Sequence, residues 1–173
     1  MTLVMATAFL VLGGGASTEP LTVCEVLSSL TELNGKKIVA RGVWEQGDAM
    51  RILRSEGPCE HPTIRDGWLW ADIIDLVPES GKLSVAEYVA EYRRFRTQYP
   101  RHRIIATLTG RLETRERYEV WTTPFGVQLP RGFGRWAAAQ LRFVRADHLT
   151  AVPYTDKELE EGIGRSYNPR RVP

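Results

Sequence analysis

The feature that most constrains the fold is a strand-like stretch, Lys36–Trp44, which directly follows the pair Asn34-Gly35. Side chains on a strand alternate between two faces. One face of this stretch carries four apolar or small residues, namely Ile38, Ala40, Gly42 and Trp44. A glycine in the middle of a strand is typical of a bulge or a sharp bend. The stretch therefore predicts the first strand of a small barrel.

Two helices with clear start signals are predicted, one over residues 22–33 and one over residues 84–99. Both segments have apolar residues at helical spacing. An Asn-Gly pair ends the first helix, and a proline ends the second. Each begins with a capping box, a Ser or Thr followed three residues later by a glutamate: Thr22 with Glu25, and Ser84 with Glu87.

Further strands are predicted where apolar and polar residues alternate between Gly- and Pro-rich turns. They are Ala49–Ser55, Trp68–Leu76, Arg103–Leu112, Tyr118–Thr122 and Gln140–Val152. The fourth barrel strand repeats the first, since Gly110 has the same place in it as Gly42. Residues 56–62 and 123–134 are predicted loops. This order predicts a mostly β, α+β fold: a small five-stranded OB-like Greek-key barrel with an N-terminal helix and an inserted helix.

The length of 173 residues fits a single domain. Residues 1–16 have the apolar run and small residues of a signal peptide, residues 21–152 form the barrel domain, and residues 153–173 form a polar tail. The apolar run is too short for a transmembrane anchor. No Lys or Arg precedes it, so either the true start lies upstream or the run is a buried N-terminal strand or helix. Export is the preferred interpretation.

The two cysteines, Cys24 and Cys59, fit an exported chain, in which an even number of cysteines usually pairs. We therefore predict a disulfide that tethers the loop 56–62 to the first helix. Two free buried thiols are the alternative. Zinc binding is disfavoured because Cys59-Glu60-His61 lacks a second ligand pair at the required spacing.

The runs Leu21–Leu27 and Asn34–Gly42 resemble the opening of small exported bacterial proteins of unknown function that have an OB-like domain. In those proteins a cysteine near the first helix accompanies a cysteine-containing loop after the second strand, as Cys59 does here. The resemblance covers roughly residues 21–152 and departs in the segment 84–99. It implies a fold and a compartment, and it brings no catalytic residues with it.

Catalytic groups are not predicted. The three histidines, His61, His102 and His148, lie far apart in the sequence, and no nucleophile elbow or phosphate loop is present. Asp72 and Asp75 would face opposite sides of one strand, which argues against joint action. We therefore expect neither an enzyme, nor a cofactor, nor a metal site.

OB-type barrels bind ligands on an open strand face, where aromatic residues stack and basic residues hold anions. Seven residues are candidates for such a ligand face: Trp44, Trp68, Trp70, Trp121, Arg41, Arg51 and Arg111. The alternative is that most of these tryptophans are core or rim residues.

The net charge of +2 is too small to predict nucleic acid or membrane as a partner. The sequence therefore favours a non-enzymatic exported binding or interaction module, with a protein or an anionic ligand as the partner. The alternative is a cytoplasmic OB protein that binds single-stranded nucleic acid. A steep dependence of affinity on salt would identify the latter.

Overall fold

The structure is a computed structural model that describes residues 19–46, 50–81, 84–134, 136–156 and 170–172. Three of these, Val85, Arg145 and Arg170, are described by their backbone only. The predicted signal peptide, residues 1–16, and most of the predicted tail lie outside the described residues.

The described elements are mostly β-strands, with three helices among them. In chain order they are β1 (Leu21–Thr22), α1 (Val23–Ser28), α2 (Leu30–Leu33), β2 (Lys37–Gln46), β3 (Arg51–Arg54), β4 (Thr63–Arg65), β5 (Trp68–Trp70), β6 (Ile73–Pro78), α3 (Val85–Gln98), β7 (His102–Thr114), β8 (Val120–Thr122), β9 (Gln128–Pro130), β10 (Ala139–Pro153) and β11 (Arg170–Arg171).

Five strands close into a barrel in the order β2-β3-β6-β10-β7, because β2 pairs with both β3 and β7. All neighbours are antiparallel except β6 and β10, which are parallel. Numbered along the chain, the barrel strands therefore follow the order 1-2-3-5-4, and α3 connects the third to the fourth. This arrangement confirms the predicted fold class, an α+β barrel of the OB-like Greek-key type.

The two mid-strand glycines allow close packing between barrel strands. A Cβ atom on Gly42 would lie 2.5 Å from the Arg54 carbonyl oxygen, and one on Gly110 would overlap the backbone of Arg142. The register of β2 against β7 runs through Gly42 without a shift. Of the two alternatives predicted for Gly42, a bulge or a sharp bend, the bulge is therefore wrong. The register shifts lie on β10 instead, between Phe143 and Arg145 and between Ala146 and His148.

The helix α3 packs against the barrel core through Tyr88, which is fully buried. The Tyr88 ring lies 4.7 Å from the Trp44 ring and 4.9 Å from the Phe143 ring, and the Trp44 indole Nε1 donates a hydrogen bond to the Tyr88 hydroxyl. Burial raises the pKa of the Tyr88 phenol, so this group stays protonated at ordinary pH. The predicted capping box of Ser84 with Glu87 is present.

The predicted first helix is divided into α1 and α2 at Ser29, which has φ −115° and ψ 24°. Serine is a weak helix former because its hydroxyl competes for backbone groups. The capping box of Thr22 with Glu25 is present, as predicted. Val26, Leu27 and Leu30 are buried, so both short helices lie on the core.

The predicted third strand is also divided, because its two halves belong to different sheets. Trp68–Trp70 pairs with β4 and with β11 of the tail, whereas Ile73–Pro78 is the third barrel strand. The insertion that carries β4 and β5 is tied to α1 by a disulfide between Cys24 and Cys59, with 5.4 Å between their Cα atoms. The predicted disulfide is therefore present.

Candidate functional site

Three of the four tryptophans predicted to form a ligand face are core residues. Trp44, Trp68 and Trp70 are only 1%, 6% and 2% exposed. Trp121 is 39% exposed and lies on β8, which belongs to a separate two-stranded sheet. The structure therefore favours the alternative interpretation, core packing, for the first three.

The three arginines of the predicted face are in different environments. Arg41 is exposed and forms an ion pair with Glu56, with 3.1 Å between Nε and Oε1. Arg111 is exposed on β7 and donates from Nη1 to the Gly35 carbonyl oxygen at 2.8 Å. Arg51 is half-buried at the start of β3. None of the three can join the buried tryptophans in a stacking surface for a ligand.

The outer face of β3 and β6, where OB-type barrels commonly bind their ligands, is covered by the protein's own chain. Ile52 and Ile73 on this face are each 1% exposed. They cluster with Ala137, and the cluster is flanked by partly buried residues that include Phe133 and Trp136 from the segment before β10. Phe133, Trp136 and Ala137 thus cover this part of the face.

The chain fits tightly here, since the glycines on either side of Phe133, Gly132 and Gly134, leave no room for a side chain. A Cβ atom on Gly132 would lie 2.5 Å from the Trp70 ring, and one on Gly134 would overlap the Asp75 carboxylate. Gln140 donates from Nε2 to Asp75 Oδ2 at 2.8 Å. Burial raises the pKa of Asp75, although the Gln140 hydrogen bond and the nearby Arg51 oppose that shift. The face is therefore a closed, packed surface.

The most exposed apolar surface lies on the β8–β9 hairpin, in the connection between the fourth and fifth barrel strands. This connection is one of the loops with which OB-type barrels contact ligands. The hairpin carries four large apolar side chains that are exposed: Val120 (51%), Trp121 (39%), Phe125 (91%) and Val127 (53%).

Hydrogen bonds hold the hairpin turn in one conformation. The Thr123 N–H donates to the Val127 carbonyl oxygen at 2.8 Å, and the Gly126 N–H donates to the Thr123 carbonyl oxygen at 2.9 Å. The Val127 N–H also donates to the Thr123 hydroxyl at 3.1 Å. Gly126 has φ 78°, which glycine adopts readily. The turn therefore presents Phe125 at its tip on an ordered backbone.

The base of the hairpin is anchored in the barrel core through Tyr118. Tyr118 is 5% exposed, its ring lies 4.5 Å from the Trp70 ring, and its hydroxyl donates to the Ala138 carbonyl oxygen. Its backbone N–H donates to Asp66 Oδ2 at 2.7 Å. Trp70, predicted as a ligand residue, thus packs against Tyr118 at the base of the hairpin.

The hairpin has almost no charge. Between Tyr118 and Pro130 the only charged residue is Glu119. Three cations flank the base in the sequence, namely Arg115, Arg117 and Arg131. The Arg115 Cζ lies 4.6 Å from the centre of the Phe133 ring, and Arg115 donates to the Arg131 carbonyl oxygen at 2.9 Å. A surface that is neutral and apolar at its tip binds other apolar surfaces better than it binds phosphate groups.

The described residues show no arrangement that marks a metal centre. Within the described ranges, no three His, Cys, Asp or Glu side chains are grouped so that they could hold an ion. His61 and His148 are exposed and His102 is half-buried. Among the helices that the structure describes, none is long and apolar enough to cross a membrane.

Comparisons with protein-family models, with curated proteins and with solved structures found no match to this chain. Sequence reasoning missed the hairpin tip, although a signal was available. Turns are usually polar, whereas this one places Phe125 between Pro124 and Gly126, with Trp121 and Val127 nearby.

Proposed function

We propose that the protein is a non-enzymatic, exported binding module that contacts a protein partner through the β8–β9 hairpin. The observation that carries the proposal is the group of four exposed apolar side chains on one hairpin, whose turn is closed by backbone hydrogen bonds. A closed barrel with a disulfide is compatible with a small binding domain. The barrel serves as the scaffold, and the connection between its last two strands supplies the contact.

A protein partner fits the chemistry of the hairpin better than the other classes. Tryptophan and phenylalanine are enriched in the buried centres of protein interfaces, and a few such residues supply most of the binding free energy. Nucleic acids and anionic membranes require Lys or Arg, which the segment 118–130 lacks. The tryptophans that would stack on single-stranded bases, Trp44, Trp68 and Trp70, are buried, which disfavours the nucleic-acid alternative.

Export is the part of the proposal that the disulfide supports. Disulfides persist in oxidising compartments and are rare in reducing ones. The bond between Cys24 and Cys59 agrees with the signal-like segment 1–16 and with the sequence resemblance to small exported OB-like proteins. Sequencing the N-terminus of the mature protein after cell fractionation tests this part separately from the hairpin.

A photo-crosslinking experiment tests the hairpin. A photoreactive phenylalanine analogue replaces Phe125 in one variant and Ile64 in a control variant, since Ile64 is also an exposed apolar residue, at 50%, but lies on β4. In the native compartment we expect a discrete crosslinked product from position 125 and none like it from position 64. Excess wild-type protein competes for that product, and the variant W121S/F125S does not.

Two results contradict the proposal. The first is the same set of products from both positions, which indicates non-specific contact. The second is equal competition by wild-type protein and by W121S/F125S, which indicates that the hairpin is not the contact. A product with twice the mass of the chain identifies the partner as a second copy.

A further inference from the structure

The outer face of the barrel carries three basic residues side by side on three adjacent strands. The strand register places Lys37 of β2 directly opposite Arg111 of β7, and Arg111 directly opposite Arg142 of β10. Residues directly opposite each other in neighbouring strands point to the same side of the sheet, and like charges in such pairs are destabilising. We name this set the basic row.

Two residues of the basic row are held in place by hydrogen bonds that leave other donors available. Arg111 uses Nη1 to donate to the Gly35 carbonyl oxygen at 2.8 Å. Arg142 uses Nε to contact Glu113 Oε1 at 2.5 Å. A guanidinium group has five N–H donors in a fixed plane, so each arginine keeps donors for a further acceptor.

A small recess lies at the basic row. It has a volume of about 140 Å³ and is lined by Lys37, Glu79, Gly110, Arg111 and Val144. A larger groove of about 900 Å³ also includes Lys37 and is lined by Thr107 and Thr109 of β7 and by His148 of β10. The recess and the groove thus meet at one basic side chain.

The basic row itself has a small positive balance, whereas the groove beyond it is acidic. Three cations face two nearby carboxylates, Glu113, which pairs with Arg142, and Glu79, which lines the recess. Farther along the groove, Asp147 accepts a hydrogen bond from the Thr109 hydroxyl at 2.6 Å, and Glu19 lines the groove end. The strand register places the positive charges of Lys37 and Arg111 opposite each other, so that they repel. An anion bound between them would remove this repulsion.

We infer that the basic row is a binding site for an oxyanion with two or more negative charges, of the phosphate or sulfate-ester class. Arg and Lys donate charge-assisted hydrogen bonds to such groups, and the planar guanidinium matches their geometry. A ligand that carries several of these groups in a chain would follow the row across the three strands rather than the groove, because the other charged residues of the groove, Glu19 and Asp147, are acidic. This site lies on β2, β7 and β10 and does not depend on the β8–β9 hairpin.

Calorimetric titration with tripolyphosphate at an ionic strength of about 0.15 M, where the Debye length is about 8 Å, tests the site. We expect one ligand per chain for the wild-type protein and an affinity at least about tenfold lower for K37Q/R111Q, because charge-assisted hydrogen bonds are lost. The control R93Q/R94Q removes the same charge from exposed positions on α3. Its affinity should stay within about twofold of wild type, since distant charges are screened.

Thermal unfolding separates lost binding from lost folding. Tripolyphosphate should raise the Tm of the wild-type protein and of R93Q/R94Q, but not that of K37Q/R111Q. If K37Q/R111Q is destabilised, K37Q alone serves as the test, because it keeps the bond between Arg111 and Gly35. K37Q should then bind tripolyphosphate more weakly than R94Q does.

The outcomes are distinct. Competition by inorganic phosphate supports a site for a single group, whereas binding of tripolyphosphate alone supports recognition of a chain of groups. Equal losses in K37Q/R111Q and R93Q/R94Q, or tight binding of a single-stranded oligonucleotide without binding of tripolyphosphate, overturn the inference. The hairpin variant W121S/F125S should bind tripolyphosphate as the wild type does. The oxyanion site and the hairpin contact are therefore tested independently of each other.

Discussion

Removal of the disulfide should lower the free energy of unfolding by about 4 kcal/mol. The bond joins residues 35 positions apart, and the chain-entropy relation for a loop of that length gives about 4 kcal/mol at 25 °C. The enclosed segment includes α1, α2, β2 and β3, so its closure constrains a large part of the unfolded chain. The native contacts change little in C24S/C59S, because both cysteines are only half-buried.

The local backbone contact at Cys59 also survives the substitution. The Cys59 N–H donates to Asp72 Oδ2 at 3.2 Å, and serine keeps this donor. We therefore expect most of the lost stability to come from the unfolded state. Expansion of that state should also increase the dependence of the unfolding free energy on urea concentration.

Urea titration followed by tryptophan fluorescence measures the effect. The wild-type protein with and without a reductant provides one comparison, and C24S/C59S under the same two conditions provides the control, which should not respond to the reductant. A difference of less than about 1 kcal/mol between oxidised and reduced wild type would refute the entropic reasoning, since that model requires several times more.

Two further predictions concern the barrel. Burial raises the pKa of Asp75 in the folded state. The stability that this shift contributes to the wild-type protein is present below the ordinary aspartate pKa of about 4 and is lost as pH rises through the raised folded pKa. Over that pH window, the unfolding free energy of D75N should therefore rise relative to that of the wild type. G110A should lose about 2–3 kcal/mol in urea titration because its Cβ overlaps the Arg142 backbone, whereas G57A, with open space around the new methyl group, should change by less than about 1 kcal/mol. Parallel pH profiles for D75N and wild type, or equal losses for the two alanine variants, would contradict these two predictions.

The barrel was predictable because its signals are local. Alternation in β2 and the two capping boxes depend on residues a few positions apart, and both capping boxes are present in the structure. The division between β5 and β6 was not predictable in the same way. No glycine or proline interrupts the run from Trp68 to Leu76, and only the sheet partners show that the two halves belong to different sheets.

The hairpin could not be predicted for a similar reason. A strand was predicted at Tyr118–Thr122, and β8 lies there, but its partner β9 was not predicted. The predicted loop 123–134 contains β9, a strand of only three residues. Its prolines and glycines indicate turns, and nothing local distinguishes a loop from a short hairpin.

The tryptophans show a limit of strand alternation. Alternation assigns side chains to one of two faces, but it does not identify which face lies inside a barrel. Trp44 is inside the barrel, where it meets Tyr88 of α3, and this contact joins residues 44 positions apart. Trp70 is buried because Tyr118 packs on it from a distant loop. Both outcomes depend on long-range packing.

The β8–β9 hairpin forms its own sheet, and within the described part of the chain no ladder of backbone bonds joins it to the barrel strands. Mutations between Val120 and Gln128 should therefore leave the scaffold intact. Such an arrangement suits rapid evolutionary divergence of recognition, and it suits display libraries in which the turn is randomised or exchanged while Tyr118 is retained as the graft point.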